Sequence, residues 1–250
     1  MSFPTTGQPT GDPPPMSRHE GEPHVDSVNN LLNKLRASVL GANDGIVSVA
    51  GIVMGFAGAT TDRHTIFLGG MAGLVAGALS MAAGEYVSVS TQRDTERALI
   101  AKETRELAEE PEEELAELAD LYRERGLSED LARKVALELT AHDALRSHLD
   151  IELGIDPDEL TNPWQAAMAS MVAFTLGALL PMLTILLFGA GLRVYVTVAA
   201  VTVALALTGY VSARIGDAPT RPAVLRNVVG GLLAMLVTYA IGSLIGNGVG

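Results

Sequence analysis

Polar and apolar residues are sorted into long blocks along this chain. Five apolar stretches, at about 37–60, 65–92, 164–190, 194–214 and 223–247, are each long enough to cross a bilayer, which takes about 20 residues of helix. Asp44 is the only charge of the first stretch, and Glu85 the only charge of the second before Arg93. No charged residue occurs from Trp164 to Leu192, from Val194 to Ala213, or from Asn227 to Gly250. Apolar positions run all round these segments and do not alternate as barrel strands would. In lipid the backbone must then bond within each segment, which predicts five helices.

The segment between the second and third stretches is polar but still reads as helix. Residues 94–110 continue the second span without a breaker, so one helix is expected to run out of the membrane into water. Pro111 ends it or starts the next. Residues 112–125 form a second polar helix closed by Gly126. Ser128 is placed to cap a third, with Glu129 and Asp130 in its first turn, where the helix dipole favours them. That helix is expected to reach about Leu153 and stop at Gly154. Asp156-Pro157 and Asn162-Pro163 make the link onward. Residues 1–27, with Pro13-Pro14-Pro15, read as a disordered tail that solvates His19 and His24 and lacks the pattern of a signal peptide. Residues 28–36 read as a short amphipathic start at the membrane surface. The expected fold is an all-α membrane protein of five transmembrane helices, with a three-helix acidic insert between helices 2 and 3. The expected division is 1–27 tail, 28–93 start and first two spans, 94–160 insert, and 161–250 last three spans.

Charge sharpens this division. Residues 94–163 hold 21 of the 29 Asp and Glu but 8 of the 17 Lys and Arg, a net −13 against −12 for the chain. Everything outside the insert is therefore nearly neutral, and the insert attracts cations. A mean hydropathy of +0.29 is too apolar for an ordinary soluble domain. A pI near 4.8 lacks the basic footprint that nucleic acid requires. Cysteine is absent, which removes disulfides and thiolate metal sites. Lys34, Arg36, Arg93, Arg97, Arg214, Arg221 and Arg226 flank one side of the spans, against Arg63 and Arg193 on the other. By the positive-inside rule the N-terminus and insert are cytoplasmic and the C-terminus is outside. The excess of Arg (14) over Lys (3) suggests a prokaryote with a GC-rich genome, hence a bacterial plasma (inner) membrane.

Candidate chemistry lies in carboxylates. Glu103 and Glu106 lie three apart on one helical face, as do Glu114 and Glu117 on the next, and the Pro111 break lets the faces meet. On the third polar helix, Glu138, His142 and Glu152 fall within an arc of about 80° at 100° per residue, and His148 neighbours Glu152 at a four-residue spacing. Carboxylates with an occasional imidazole suit Fe²⁺, Mn²⁺ or Zn²⁺. Solvated acidic helix faces are the simpler explanation for any one of them, but facing like charges need a cation or partner. Within the spans, Asp44 sits two turns into the first, where an ionisable group normally faces a bundle interior or a water path. Glu85 follows Met81 by four residues on one face of the second, and the Met81 thioether could hold a borderline metal. Gly69, Gly73 and Gly77 form a small-residue row fitted to packing within the bundle or to a dimer seam. Pro181-Met182 suggests a kink in the third span.

The chain resembles the vacuolar iron transporter (VIT) family over about residues 30–248. The resemblance rests on Asn43-Asp44-Gly45, on the run from Ala78 to Ser88 (ALSMAAGEYVS), on Glu152-Leu153-Gly154, and on an acidic insert after the second of five spans. It implies a homodimer that moves Fe²⁺, often also Mn²⁺, out of the cytoplasm in exchange for protons, with no prosthetic group. By the same resemblance, Asp44 and Met81 line the membrane path, and Glu103, Glu106, Glu114, Glu117 and Glu152 gather metal. Plant members carry two Met just before the last glutamate, where this chain has His148 and Leu149, so an imidazole stands where thioethers are expected.

These features favour a proton-coupled divalent-metal exporter over two other readings. A membrane-tethered di-iron oxidase would need Glu-x-x-His pairs, and no His here has Glu three residues before it. A metal-binding sensor or storage module without transport would have no need of a mid-span acid such as Asp44.

Overall fold

In a computed structural model, residues 25–156 and 161–248 are described, with side chains from residue 38 onward. Of the expected tail over 1–27, residues 1–24, with His19 and His24, lie outside the described residues, while 25–27 already belong to a helix. Among the described residues there are seven α-helices, one π turn and no strand. They are α1 (Val25–Ala59), α2 (Arg63–Glu109), α3 (Pro111–Glu124), α4 (Glu129–His148), the π turn (Leu149–Leu153), α5 (Pro163–Leu187), α6 (Arg193–Ile215) and α7 (Thr220–Gly248). Five of them, α1, α2, α5, α6 and α7, are long and apolar enough to cross a membrane. The amphipathic start and the first span are one continuous helix, α1.

α1 is the centre of the bundle and packs on α2, α5, α6 and α7. Glycines set how closely it is approached. A Cβ on Gly45 would collide with the Phe174 carbonyl of α5, and one on Gly177 of α5 would collide with the Ala42 carbonyl of α1. The two helices thus meet backbone to backbone, which only residues without a side chain permit. Gly242 of α7 lies in the same way against the Gly55 carbonyl. The row Gly69, Gly73 and Gly77 receives Phe56, Ile52 and Phe174 from within the chain, so it packs the bundle itself. The core so formed includes Val49, Val53, Phe174, Ile185, Val201 and Leu205. α5 runs through Pro181, which is buried inside it.

The two ends of the bundle differ. At one end, Arg193 is buried at the start of α6 and donates to the Thr61 carbonyl (3.0 Å), while Arg63 donates to the Phe188 carbonyl (3.4 Å). These bonds strap the α1–α2 and α5–α6 connections together. At the other end, Tyr86 of α2 meets the exposed Trp164 of α5 with ring centroids 4.8 Å apart, an aromatic pair of the kind found at membrane interfaces. Beyond this pair α2 continues without interruption to Glu109, carrying the polar helices on its extension.

The polar helices follow the expected punctuation with two departures. Pro111 is the first residue of α3, Gly126 has φ +102°, and Gly154 ends the π turn at φ +62°. Ser128 occupies the N-cap position of α4, but its side chain makes no capping bond. The single helix expected from Ser128 to Leu153 is broken. Asp143 takes extended backbone angles (φ −160°, ψ 94°) and its Oδ1 accepts from the Arg146 N–H (3.0 Å), capping a new turn. After His148 the chain widens into the π turn, whose Ile151 packs with Leu118 and Ala136 and whose Ile151 carbonyl accepts from Arg125 (2.8 Å).

Candidate metal centre

Three elements bring three buried groups together. Glu103 comes from the extension of α2, Glu114 from the first turn of α3, and His148 from the end of α4. They are 3%, 6% and 0% exposed, a degree of burial that charged residues rarely reach without a partner. One ligand atom from each lies within 4.8 Å of the others. His148 Nδ1 is 3.0 Å from Glu103 Oε1, 3.5 Å from Glu114 Oε2 and 3.9 Å from Glu152 Oε2. Glu152, on the π turn, sits at the rim.

The geometry is one of convergence without pairing. Glu103 Oε1 and both ring nitrogens of His148 are buried and have no aligned hydrogen-bond partner. Burial raises the Glu103 carboxyl to about 7, and Glu152, Glu114, Glu106 and Glu117 push the same way. Burial also raises Glu114 and Glu152, each with Glu117 as the leading charged neighbour. His148 is close enough to Glu103 for an ion pair, yet burial lowers the imidazole more than Glu117 raises it. Desolvation of the enclosed ring outweighs the attraction of the neighbouring charge. Carboxylate oxygens and an imidazole gathered within 4.8 Å form a ligand set for a divalent cation of borderline softness.

The other expected ligands fall outside this cluster. Glu106 pairs with Lys102 (2.7 Å), and that contact raises the ammonium. Glu117 is exposed and acts on the cluster through its charge. Glu138 and His142 are exposed, and the structure does not bring them to the other ligands. Their expected arc with Glu152 assumed one uninterrupted helix, and the break at Asp143 with the π turn after it cancels that register.

In the spans, Asp44 is half-buried and accepts from Ser48 Oγ (3.1 Å). Met81 is half-buried against the bundle core, and Glu85 is half-buried beyond it. No hydrogen bond or ion pair joins Asp44, Met81 and Glu85 to one another among the described residues. The sequence reading missed a polar cluster beside Asp44, in which Asn43 Oδ1 accepts from Thr208 Oγ1 (3.3 Å) and Asn227 Nδ2 (3.2 Å). It links α1, α6 and α7, and its signal was the two asparagines at span positions. Asp143 and Arg125, which shape the backbone that carries His148 and Glu152, were missed as well.

Residues 35–243 match the model of the VIT family. The chain is 40% identical over 230 residues to a vacuolar iron transporter of Acanthamoeba castellanii, covering 90% of this chain and 83% of that protein. It is 36% identical over 214 residues to vacuolar iron transporter homolog 4 of Arabidopsis thaliana, covering 85% and 84%. Similarity to VIT-like transporter 1b of Glycine max is 34% over 213 residues, covering 85% and 76%.

Proposed function

The chain belongs to the VIT family, and from that premise we propose that it is an integral membrane transporter of Fe²⁺, Mn²⁺ or both, exporting metal from the cytoplasm in exchange for protons. The observation that carries this reading is the buried Glu103–Glu114–His148 cluster on the extension of a membrane helix. A cation captured there stands on the same rigid element that enters the bilayer.

The steps follow from the donor chemistry. Glu103, Glu114 and His148 take the ion, with Glu152 as a fourth ligand and Glu106 and Glu117 supplying attractive field. Zn²⁺ fits the same donors. Asp44, Met81 and Glu85 then hold the ion within the spans. A carboxylate that loses a metal gains a proton, which supplies the coupling. The basic residues at the span ends favour a cytoplasmic insert and an outside C-terminus, the orientation taken in this reading. Relatives are named vacuolar, whereas for this chain we propose a bacterial inner membrane and a homodimer.

The test is metal and proton flux in proteoliposomes, with Fe²⁺ kept reduced and Mn²⁺ in parallel, under an imposed pH gradient. Metal uptake that requires the gradient and moves protons in the opposite direction supports exchange. Uptake indifferent to the gradient replaces the exchanger with a uniporter. Tight binding without uptake replaces transport with metal sensing or storage.

A further inference from the structure

Three carboxylates of α2, Glu85, Glu96 and Glu103, lie on one stripe that joins the buried cluster to the bilayer. Glu96 is seven residues before Glu103 and Glu85 eighteen, so at about 100° per residue both return to within about 20° of its side of the helix. Gln92 shares that side. At about 1.5 Å of rise per residue, Glu96 stands about 10 Å and Glu85 about 27 Å from Glu103 along the axis. α2 is unbroken from Arg63 to Glu109, so the stripe passes the level of the Tyr86–Trp164 pair without a change of register.

Glu96 has no part in the cluster or in the path described above, yet its surroundings are unusual. Its Oε1 accepts from Gln92 Nε2 (2.8 Å), while its Oε2 is buried without a hydrogen-bond partner. No ion pair to Glu96 occurs among the described residues. Arg93, three residues earlier and about 60° round the helix, also keeps its Nε buried and unpartnered. A carboxylate oxygen shut from water and left unpaired carries a desolvation cost that an arriving cation would remove.

We propose that Glu96 is a transit ligand, holding the divalent cation between its release from the Glu103–Glu114–His148 cluster and its entry to the span at Glu85. Gln92 orients the Glu96 carboxylate through Oε1 and leaves Oε2 for the ion. The gap of about 10 Å between Glu103 and Glu96 on the helix axis is a distance to hop, so the two carboxylates act in succession and do not share one ion. This inference rests on the transport reading above.

The experiment compares full-length wild type, Glu96→Gln and Glu96→Asp, each measured for Mn²⁺ binding in detergent and for Mn²⁺ flux in proteoliposomes. Glu96→Gln is expected to bind Mn²⁺ at the cluster as wild type does. Its maximal flux should fall about 10- to 100-fold, the usual range for losing a group that tunes a metal site, with half-saturation little changed. Glu96→Asp, which keeps the charge, should recover much of that flux. Wild-type flux in Glu96→Gln overturns the proposal. So does loss of binding in step with flux, because Glu96 would then act through the cluster or the fold. If the wild type itself moves no metal, the transport reading fails and takes this inference with it.

Discussion

Replacing Glu103 with Gln should stabilise the metal-free insert at high pH while destroying its response to metal. Glu103 is buried among Glu114, Glu152, Glu106 and Glu117, and its carboxyl is raised from 4.5 to about 7. A raised carboxyl favours the protonated fold. The stability it contributes is complete below about pH 4.5 and is lost as pH rises through about 7. With each tenfold in proton affinity worth about 1.4 kcal/mol, ionised Glu103 costs about 3 kcal/mol at pH 8, on the order of 100-fold in an opening equilibrium. Glu103→Gln stays neutral at every pH and escapes this cost. Hydrogen exchange of the full-length protein in detergent and chelator, corrected for intrinsic rates, reads it directly over residues 103–118 and 145–153. At pH 8 the variant should be more protected than wild type by up to that factor, and at pH 4 the two should converge. Saturating Mn²⁺ should protect wild type strongly and the variant little. A difference independent of pH, or full metal protection in the variant, would refute the argument.

Other consequences are open to direct measurement. Metal affinity in wild type should fall as pH drops from 8 to 6, because protons compete at Glu103 near 7; calorimetry in two buffers of different ionisation enthalpy would count the released protons, and none released at pH 6.5 would contradict it. Asp44→Ala should abolish flux in proteoliposomes while leaving metal binding by the insert intact, and undiminished flux would remove Asp44 from the path. Gly45→Ala places a Cβ into the Phe174 carbonyl and should destabilise the α1–α5 contact by about 1–3 kcal/mol, the usual range for overpacking; an unchanged thermal midpoint in detergent would show that the helices can part without cost.

Much of the architecture was legible because its causes are local in sequence. Uninterrupted apolar runs have only one backbone solution in lipid, so the five spans could be read directly. Pro111, Gly126 and Gly154 stand where a chain must start or leave a helix, and each does so in the structure. The net negative charge of the insert follows from composition alone.

Which carboxylates form the buried cluster was decided by tertiary contacts. Glu103 and Glu106 carry equal weight in the sequence, yet Lys102 draws Glu106 aside and burial selects Glu103. Glu138 and His142 fitted an ideal helix, but Asp143 breaks that helix with no Pro or Gly to signal it. The π turn likewise has no compositional mark, and it stands where Arg125 and Leu118 of a neighbouring segment hold Ile151. Sequence alone therefore determined the helices, their punctuation and the sign of the charge, because these depend on each residue's own backbone and solvation preferences. Only the tertiary structure decided which ligand atoms converge, because convergence depends on contacts between segments that a linear pattern does not encode.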